Sequence, residues 1–171
     1  MDTRNPEKSN IAVPPSGQRL AVPHVRPRAV FAHDDVARAG NGPAEAARIL
    51  IVEDDYLVAS EMEAALAQAG FEIAGPAASA EEALQLAAGQ HPALVVMDIR
   101  LDGPRDGIDT ALELFATRGI RCVFVTAHHN PDARARARPA NPLAWLPKPY
   151  TMPSLVEVVR RALADLHGEK T

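Results

Sequence analysis

The chain has 171 residues, 47% of them apolar and 23% charged, which supplies one domain-sized core and an appendage and excludes both a wholly disordered chain and two full cores. A formal charge of -4 and a pI near 5.8 exclude the basic excess typical of a dedicated nucleic-acid binder. No apolar run approaches the roughly 18 residues of a membrane helix, and the N-terminus lacks the apolar stretch of a signal peptide, so neither membrane nor nucleic acid is expected as a partner and the protein is expected in the cytoplasm.

Residues 1–45 carry Pro6, Pro14, Pro15, Pro23, Pro27 and Pro43 with no apolar run of helical or strand period. Their charges are mixed rather than basic, and the segment reads as a disordered proline-rich extension ahead of one ordered domain over residues 46–171. The character changes at Arg48. Ile49-Leu50-Ile51-Val52 has no polar alternation, as expected of a strand buried on both faces. Asp55 stands at an N-cap position before a helix on which Val58, Met62, Ala65, Leu66 and Ala69 share a face, and Gly70 ends it. Phe71 to Gly75 reads as a second strand, and Ser79-x-x-Glu82 is a capping box that opens a helix through about Ala88.

Leu94-Val95-Val96-Met97 predicts a third strand, residues 108–117 a third helix with Leu112 and Phe115 on one face, and residues 120–126 a fourth strand. Cys122, the only cysteine, reads as a small hydrophobe within it. Asp132 to Arg138 offers only alanines and arginines before Pro139, which predicts a short or irregular fourth helix with Arg134, Arg136 and Arg138 on a solvated face. Residues 144–146 make a short fifth strand. Thr151 then caps a last helix that places Leu155, Val156, Val159 and Leu163 together, with Pro153 tolerated in its first turn. Strands alternating with helices in this way predict right-handed crossovers and a parallel, doubly wound α/β sheet covered on both faces.

Ligands of such a sheet sit beyond the carboxyl ends of the strands. The first predicted strand runs into Glu53-Asp54-Asp55, the third into Asp98, the fourth into Thr126 and the fifth into Lys148. Each alone has an ordinary explanation in helix caps, strands or solvated turns. Together they bring carboxylates from two strand ends onto one rim with one ammonium and one hydroxyl. Crowded carboxylates repel unless a cation sits among them, and Mg2+, which prefers oxygen ligands and keeps several waters, suits that need. One carboxylate can then attack phosphorus directly, with the metal, Lys148 and Thr126 available to stabilise charge on the phosphoryl oxygens.

Ile-Leu-Ile-Val-Glu53-Asp54-Asp55, Val-Val-Met-Asp98-Ile-Arg-Leu, Phe-Val-Thr126-Ala127 and Leu-Pro-Lys148-Pro149 resemble, in order and at successive strand ends, the receiver domain of bacterial two-component response regulators. The resemblance covers everything after the extension. It implies a flavodoxin-like sheet of order 2-1-3-4-5. It further implies that Asp98 is the phosphoacceptor, that Asp54 and Asp98 bind Mg2+ with help from Glu53 and the Arg100 carbonyl, and that Lys148 and Thr126 engage the phosphoryl group. Ala127 is small enough to leave the acceptor reachable. A cis Lys148-Pro149 bond, common in the family, aims the lysine inward.

Arg100 and His128 match positions that tune dephosphorylation, and Trp145 matches an aromatic switch position or simply closes the sheet edge. The neighbouring His128 and His129 lack a third ligand and read as loop residues rather than a metal site. The weak fourth helix resembles that of receivers in stress signalling and phosphorelays and leaves the oligomeric state open. The last helix stops near His167, so no C-terminal output domain is expected. The implied function is a switch rather than an enzyme acting on other substrates: it takes a phosphoryl group from a sensor histidine kinase or histidine phosphotransfer protein, signals to an effector by protein contact, and catalyses only its own phosphoryl transfer and loss. Two other readings are a phosphatase forming an aspartyl-phosphate, whose Asp-x-Asp signature requires an acid where Arg100 stands, and a pseudo-receiver that binds partners without phosphorylation.

Overall fold

The computed structural model describes residues 47–127 and 131–168. The proposed extension over residues 1–45 and the His128 and His129 assignments lie outside the described residues. Five strands, β1 (Arg48–Val52), β2 (Glu72–Ala77), β3 (Leu94–Met97), β4 (Cys122–Thr126) and β5 (Ala144–Pro147), form one parallel sheet in the order β2-β1-β3-β4-β5. The helices are α1 (Tyr56–Gln68), α2 (Ala80–Gln90), α3 (Gly107–Arg118), α4 (Pro131–Ala137) and α5 (Met152–Gly168), with a 3-10 turn at Arg138–Ala140. This is the doubly wound sheet that the alternating pattern predicts.

Side chains alternate across a strand, so the continuous apolar runs feed two cores at once. Ile49, Ile51, Val96, Val123 and Val125 pack on Met62 and Leu66 of α1 and on Leu155 and Val159 of α5. Leu50, Val52, Val95, Met97 and Phe124 face the other way, onto α2, α3 and the buried alanines Ala137 and Ala140. Cys122 belongs to that second core, where burial pushes its thiol up to about 12.

Local chemistry sets the element ends. Asp55 caps α1 by accepting the Leu57 and Val58 N–H groups at 2.9 and 3.2 Å, and Ser79 Oγ accepts the Glu82 N–H while Glu82 accepts that of Ala78. Thr151 Oγ1 accepts the Ser154 N–H at 3.3 Å ahead of α5. The second strand runs two residues beyond Gly75, through Pro76, which the sequence reading left out. Pro76 is tolerated because β2 is an edge strand, and the register slips between Ile49 and Leu50 where Gly75 takes φ 120. The inner face of α3 is Ile108, Ala111 and Leu114, with Leu112 and Phe115 flanking it.

The fourth helix is short, as expected, and passes into the 3-10 turn that contains Pro139. Its arginines are not simply solvated. Arg136 pairs with Asp106 and Asp109, and Arg134 sits 5.0 Å from the Trp145 ring centroid; α3 and β5 supply these partners from distant sequence. Among the described residues, no helix is long and apolar enough to cross a membrane.

Candidate phosphoacceptor and cation site

Register brings the strand ends together. Val52 pairs with Met97 and Thr126 with Pro147, so the residues that follow emerge side by side. The Asp98 N–H donates to the Val52 carbonyl at 2.9 Å, the Glu53 N–H to that of Ala77 at 3.0 Å, and the Lys148 N–H to that of Thr126 at 3.1 Å. Sheet hydrogen bonding thus continues one residue past the strands and fixes three of the polar residues to the rim.

Lys148 Nζ donates to Glu53 Oε2 at 2.7 Å and to Asp98 Oδ2 at 2.6 Å, short charge-assisted bonds that make one ammonium a bridge between two carboxylates. The Lys148-Pro149 bond is cis. Asp98 Oδ1 accepts the Arg100 N–H at 3.2 Å, and Glu53 Oε1 accepts that of Asp55 at 3.4 Å. Glu53 and Asp98 are 3% and 7% exposed, whereas Asp54 beside them is open to solvent. Burial holds the Glu53 carboxyl above the usual carboxylate range, with Lys148 offsetting only part of that cost and Asp98 adding to it. For Lys148, burial opposes the charge, but the bonds to Asp98 and Glu53 outweigh it and leave the ammonium harder to deprotonate than usual.

Carboxylate oxygens of Glu53, Asp54 and Asp98 lie within 4.8 Å of one another. Three acids therefore face one ammonium, and among the described residues Asp54 has no side-chain partner. An all-oxygen donor set with surplus negative charge fits a hard divalent cation and no soft one. Charge and donor type both agree with Mg2+.

The other residues singled out from sequence fall around this cluster. Thr126 is buried at the end of β4, and Ala127 after it is exposed. The Arg100 side chain is exposed, two residues past Asp98, and has no charged partner among the described residues. Trp145 lies on edge strand β5, stacked on Phe124 with ring centroids 4.5 Å apart at 29°. It is half-buried at that edge of the sheet.

Two features escaped the sequence reading. Gly107 opens α3 directly against the Asp98 backbone: its N–H donates to the Ile99 carbonyl at 2.8 Å, and a Cβ at this position would lie 1.8 Å from the Asp98 carbonyl oxygen. A glycine at the first turn of a helix, just after the cap Asp106, was the available signal. Tyr150 follows the cis bond with its hydroxyl buried and, among the described residues, without a hydrogen-bond partner, and burial raises it to about 12. Nothing in sequence distinguishes that hydroxyl from one that reaches water.

Comparison with known proteins agrees with this geometry. The response regulator receiver domain family matches residues 49–160. Transcriptional regulatory protein PdtaR of Mycobacterium tuberculosis is 37% identical over 117 residues, 68% of this chain and 57% of that protein. The phyllosphere-induced regulator PhyR of Methylorubrum extorquens is 29% identical over 119 residues, 69% of this chain and 44% of that protein. The chain thus spans about half the length of the curated relatives it matches. Among solved structures, the signal receiver domain of a modulated diguanylate cyclase from Desulfovibrio desulfuricans G20 superposes with a TM-score of 0.67 at 30% identity, covering 73% of this chain and 99% of that one. A CheY-like receiver domain protein from Methanospirillum hungatei JF-1 gives 0.68 at 25% identity, with the same coverage.

Proposed function

Because the chain belongs to the response regulator receiver domain family, we propose that it is a signalling switch that takes a phosphoryl group on Asp98 from a sensor histidine kinase or histidine phosphotransfer protein. The observation that carries this reading is the convergence of Glu53, Asp54, Asp98 and Lys148 at one rim, with Lys148 within 2.7 Å of two of the three carboxylates.

Asp98 is the nucleophile. A carboxylate oxygen forms the new O–P bond as the P–N bond of a phosphohistidine breaks, and the leaving imidazole keeps the electron pair. No general base is required, since the attacking oxygen is already anionic. Its Oδ1 is oriented by the Arg100 N–H, and Lys148 on Oδ2 is placed to follow the charge onto the phosphoryl oxygens. Thr126, at the end of the neighbouring strand, is assigned to a phosphoryl oxygen. Glu53, Asp54 and Asp98, with the Arg100 carbonyl, would hold Mg2+, which offsets phosphoryl charge in such transfers.

The domain is otherwise no enzyme: it catalyses its own phosphoryl transfer and hydrolysis, and the exposed Arg100, together with His128, sets how long the group lasts. Signalling proceeds by protein contact with an effector that distinguishes the two states, through a coupling energy of about 1–3 kcal/mol. Acetyl phosphate with Mg2+ tests the reading by intact mass. One phosphoryl group added to the wild-type chain and none to Asp98→Ala is the result expected. No addition to the wild type would instead support an interaction module that works without phosphorylation.

A further inference from the structure

Between the loop that follows Asp98 and the first turn of α4 lies a cleft of about 360 Å3, with Ile99, Leu101 and Ile108 on one side and Asp132 and Ala133 on the other. Close-packed elements resist small displacements, but elements separated by a cleft have room to change their spacing. Arg136 bridges this one. Its Nη1 donates to Asp106 Oδ2 at 2.9 Å and its Nη2 to Asp109 Oδ1 at 3.2 Å.

Those two acids form the first turn of α3. Asp106 is its N-cap, and while Oδ2 takes the arginine, Oδ1 accepts the Asp109 N–H at 2.9 Å. The same helix end touches the acceptor through Gly107, which lies against the Asp98 carbonyl. Two residues before Arg136, Arg134 holds its guanidinium 5.0 Å from the ring centroid of Trp145, which also stacks on Phe124. One short helix therefore carries both a grip on the backbone behind Asp98 and a contact on β5.

Exposure limits what Arg136 adds to stability, since its side chain is 52% accessible and such pairs are screened. Its significance is geometric. A planar fork engaging two residues of one helix turn fixes orientation in a way that a single point charge does not.

We propose that Arg136 is a positioning residue that makes α4 a lever between the loop behind Asp98 and Trp145. Charge added at Asp98 shifts the 99–106 loop and the α3 terminus joined to it; Arg136 draws α4 along, and Arg134 changes its contact with the indole. Neither arginine touches the phosphoryl group. The inference rests on Asp98 being the acceptor and adds the route by which its state reaches the far edge of the sheet.

The full chain carries its own reporter, since Trp145 is the only tryptophan. Acetyl phosphate and Mg2+ are added, intact mass records phosphoryl uptake, and fluorescence records the indole. Wild type should change its emission on uptake. Arg136→Gln should take up the group to the same extent yet show less than about half of that change, with Arg136→Lys, which keeps the charge but not the fork, in between. If Arg136→Gln fails to fold, Asp109→Ala, which removes only the second contact, should also reduce the change. A full emission change in the folded Arg136→Gln variant, or none in wild type that has taken up the group, overturns the inference. No uptake by wild type overturns instead the acceptor reading beneath it.

Discussion

Replacing Gly107 with alanine sets two effects against each other, and the structure gives their relative size. Gly107 is helical and does not rely on a positive φ, so alanine there gains about 0.5–1 kcal/mol from helix propensity and a less flexible unfolded chain. Against that, the new methyl would lie 1.8 Å from the Asp98 carbonyl oxygen, 2.9 Å from its carbon and 3.0 Å from Ile99 Cα. All three are backbone atoms, so no rotamer relieves the contact, and either α3 or the backbone at Asp98 must move by more than about 1 Å. Overpacking of this kind costs about 1–3 kcal/mol and outweighs the propensity gain. A net loss of about 2 kcal/mol lowers Tm by roughly 5–10 °C in a domain of this size. With Asp98 as the proposed nucleophile, the functional loss should be larger, because a nucleophile displaced by 1 Å loses on the order of 100-fold in rate. Thermal melts and the initial rate of phosphoryl uptake from acetyl phosphate measure both. A variant as stable as wild type and labelled at the same rate would show that the α3 terminus does not buttress Asp98.

Lys148→Met, measured with chelator present, should be destabilised in a pH-dependent way. Glu53 has a folded pKa above its ordinary 4.5, so its contribution to stability falls as pH rises through that raised value, and Lys148 limits the fall. Without the lysine the loss at neutral pH should be about 2 kcal/mol, less than the ~3–5 kcal/mol of a fully buried pair because the ammonium is partly solvated, and it should shrink below pH 4.5, where Glu53 is neutral in both states. The stabilising contribution of Lys148 itself, whose pKa is raised from 10.5, is present below that value and fades as pH climbs past it. Melting curves across this range giving a constant gap between variant and wild type would contradict the bridge. Tyr150→Phe removes a buried hydroxyl that has no partner among the described residues, so stability should stay level or rise by about 1 kcal/mol; a clear drop in chemical denaturation would reveal a partner for that oxygen.

Much of this was legible in the chain itself because the signals are local. Uninterrupted β-branched runs can satisfy only a strand covered on both faces, and Asp55, Ser79 and Thr151 cap helices through bonds to residues two or three positions away. The polar residues that break off each apolar run announced the rim, since a parallel sheet places all its carboxyl ends together. The course of β2 through Pro76 was less legible: the proline argues against a strand until its edge position is known. The expected pair on α3, Leu112 and Phe115, does pack against the core, but it flanks Ile108, Ala111 and Leu114, which are the fully buried residues.

Sequence alone determined the alternation of strands and helices, the likeness to receiver domains and the identity of the residues at the rim, because each depends on neighbours a few positions away or on order along the chain. Tertiary structure decided the contacts between elements far apart in sequence. Lys148 bridges Glu53 and Asp98 across 95 and 50 positions, Arg136 meets Asp106 across 30, and Gly107 comes up against the Asp98 backbone. Propensity and periodicity describe how a segment folds and which side it buries. Which charge meets which depends on register and helix packing, and those exist only once the sheet has closed on its two layers of helices.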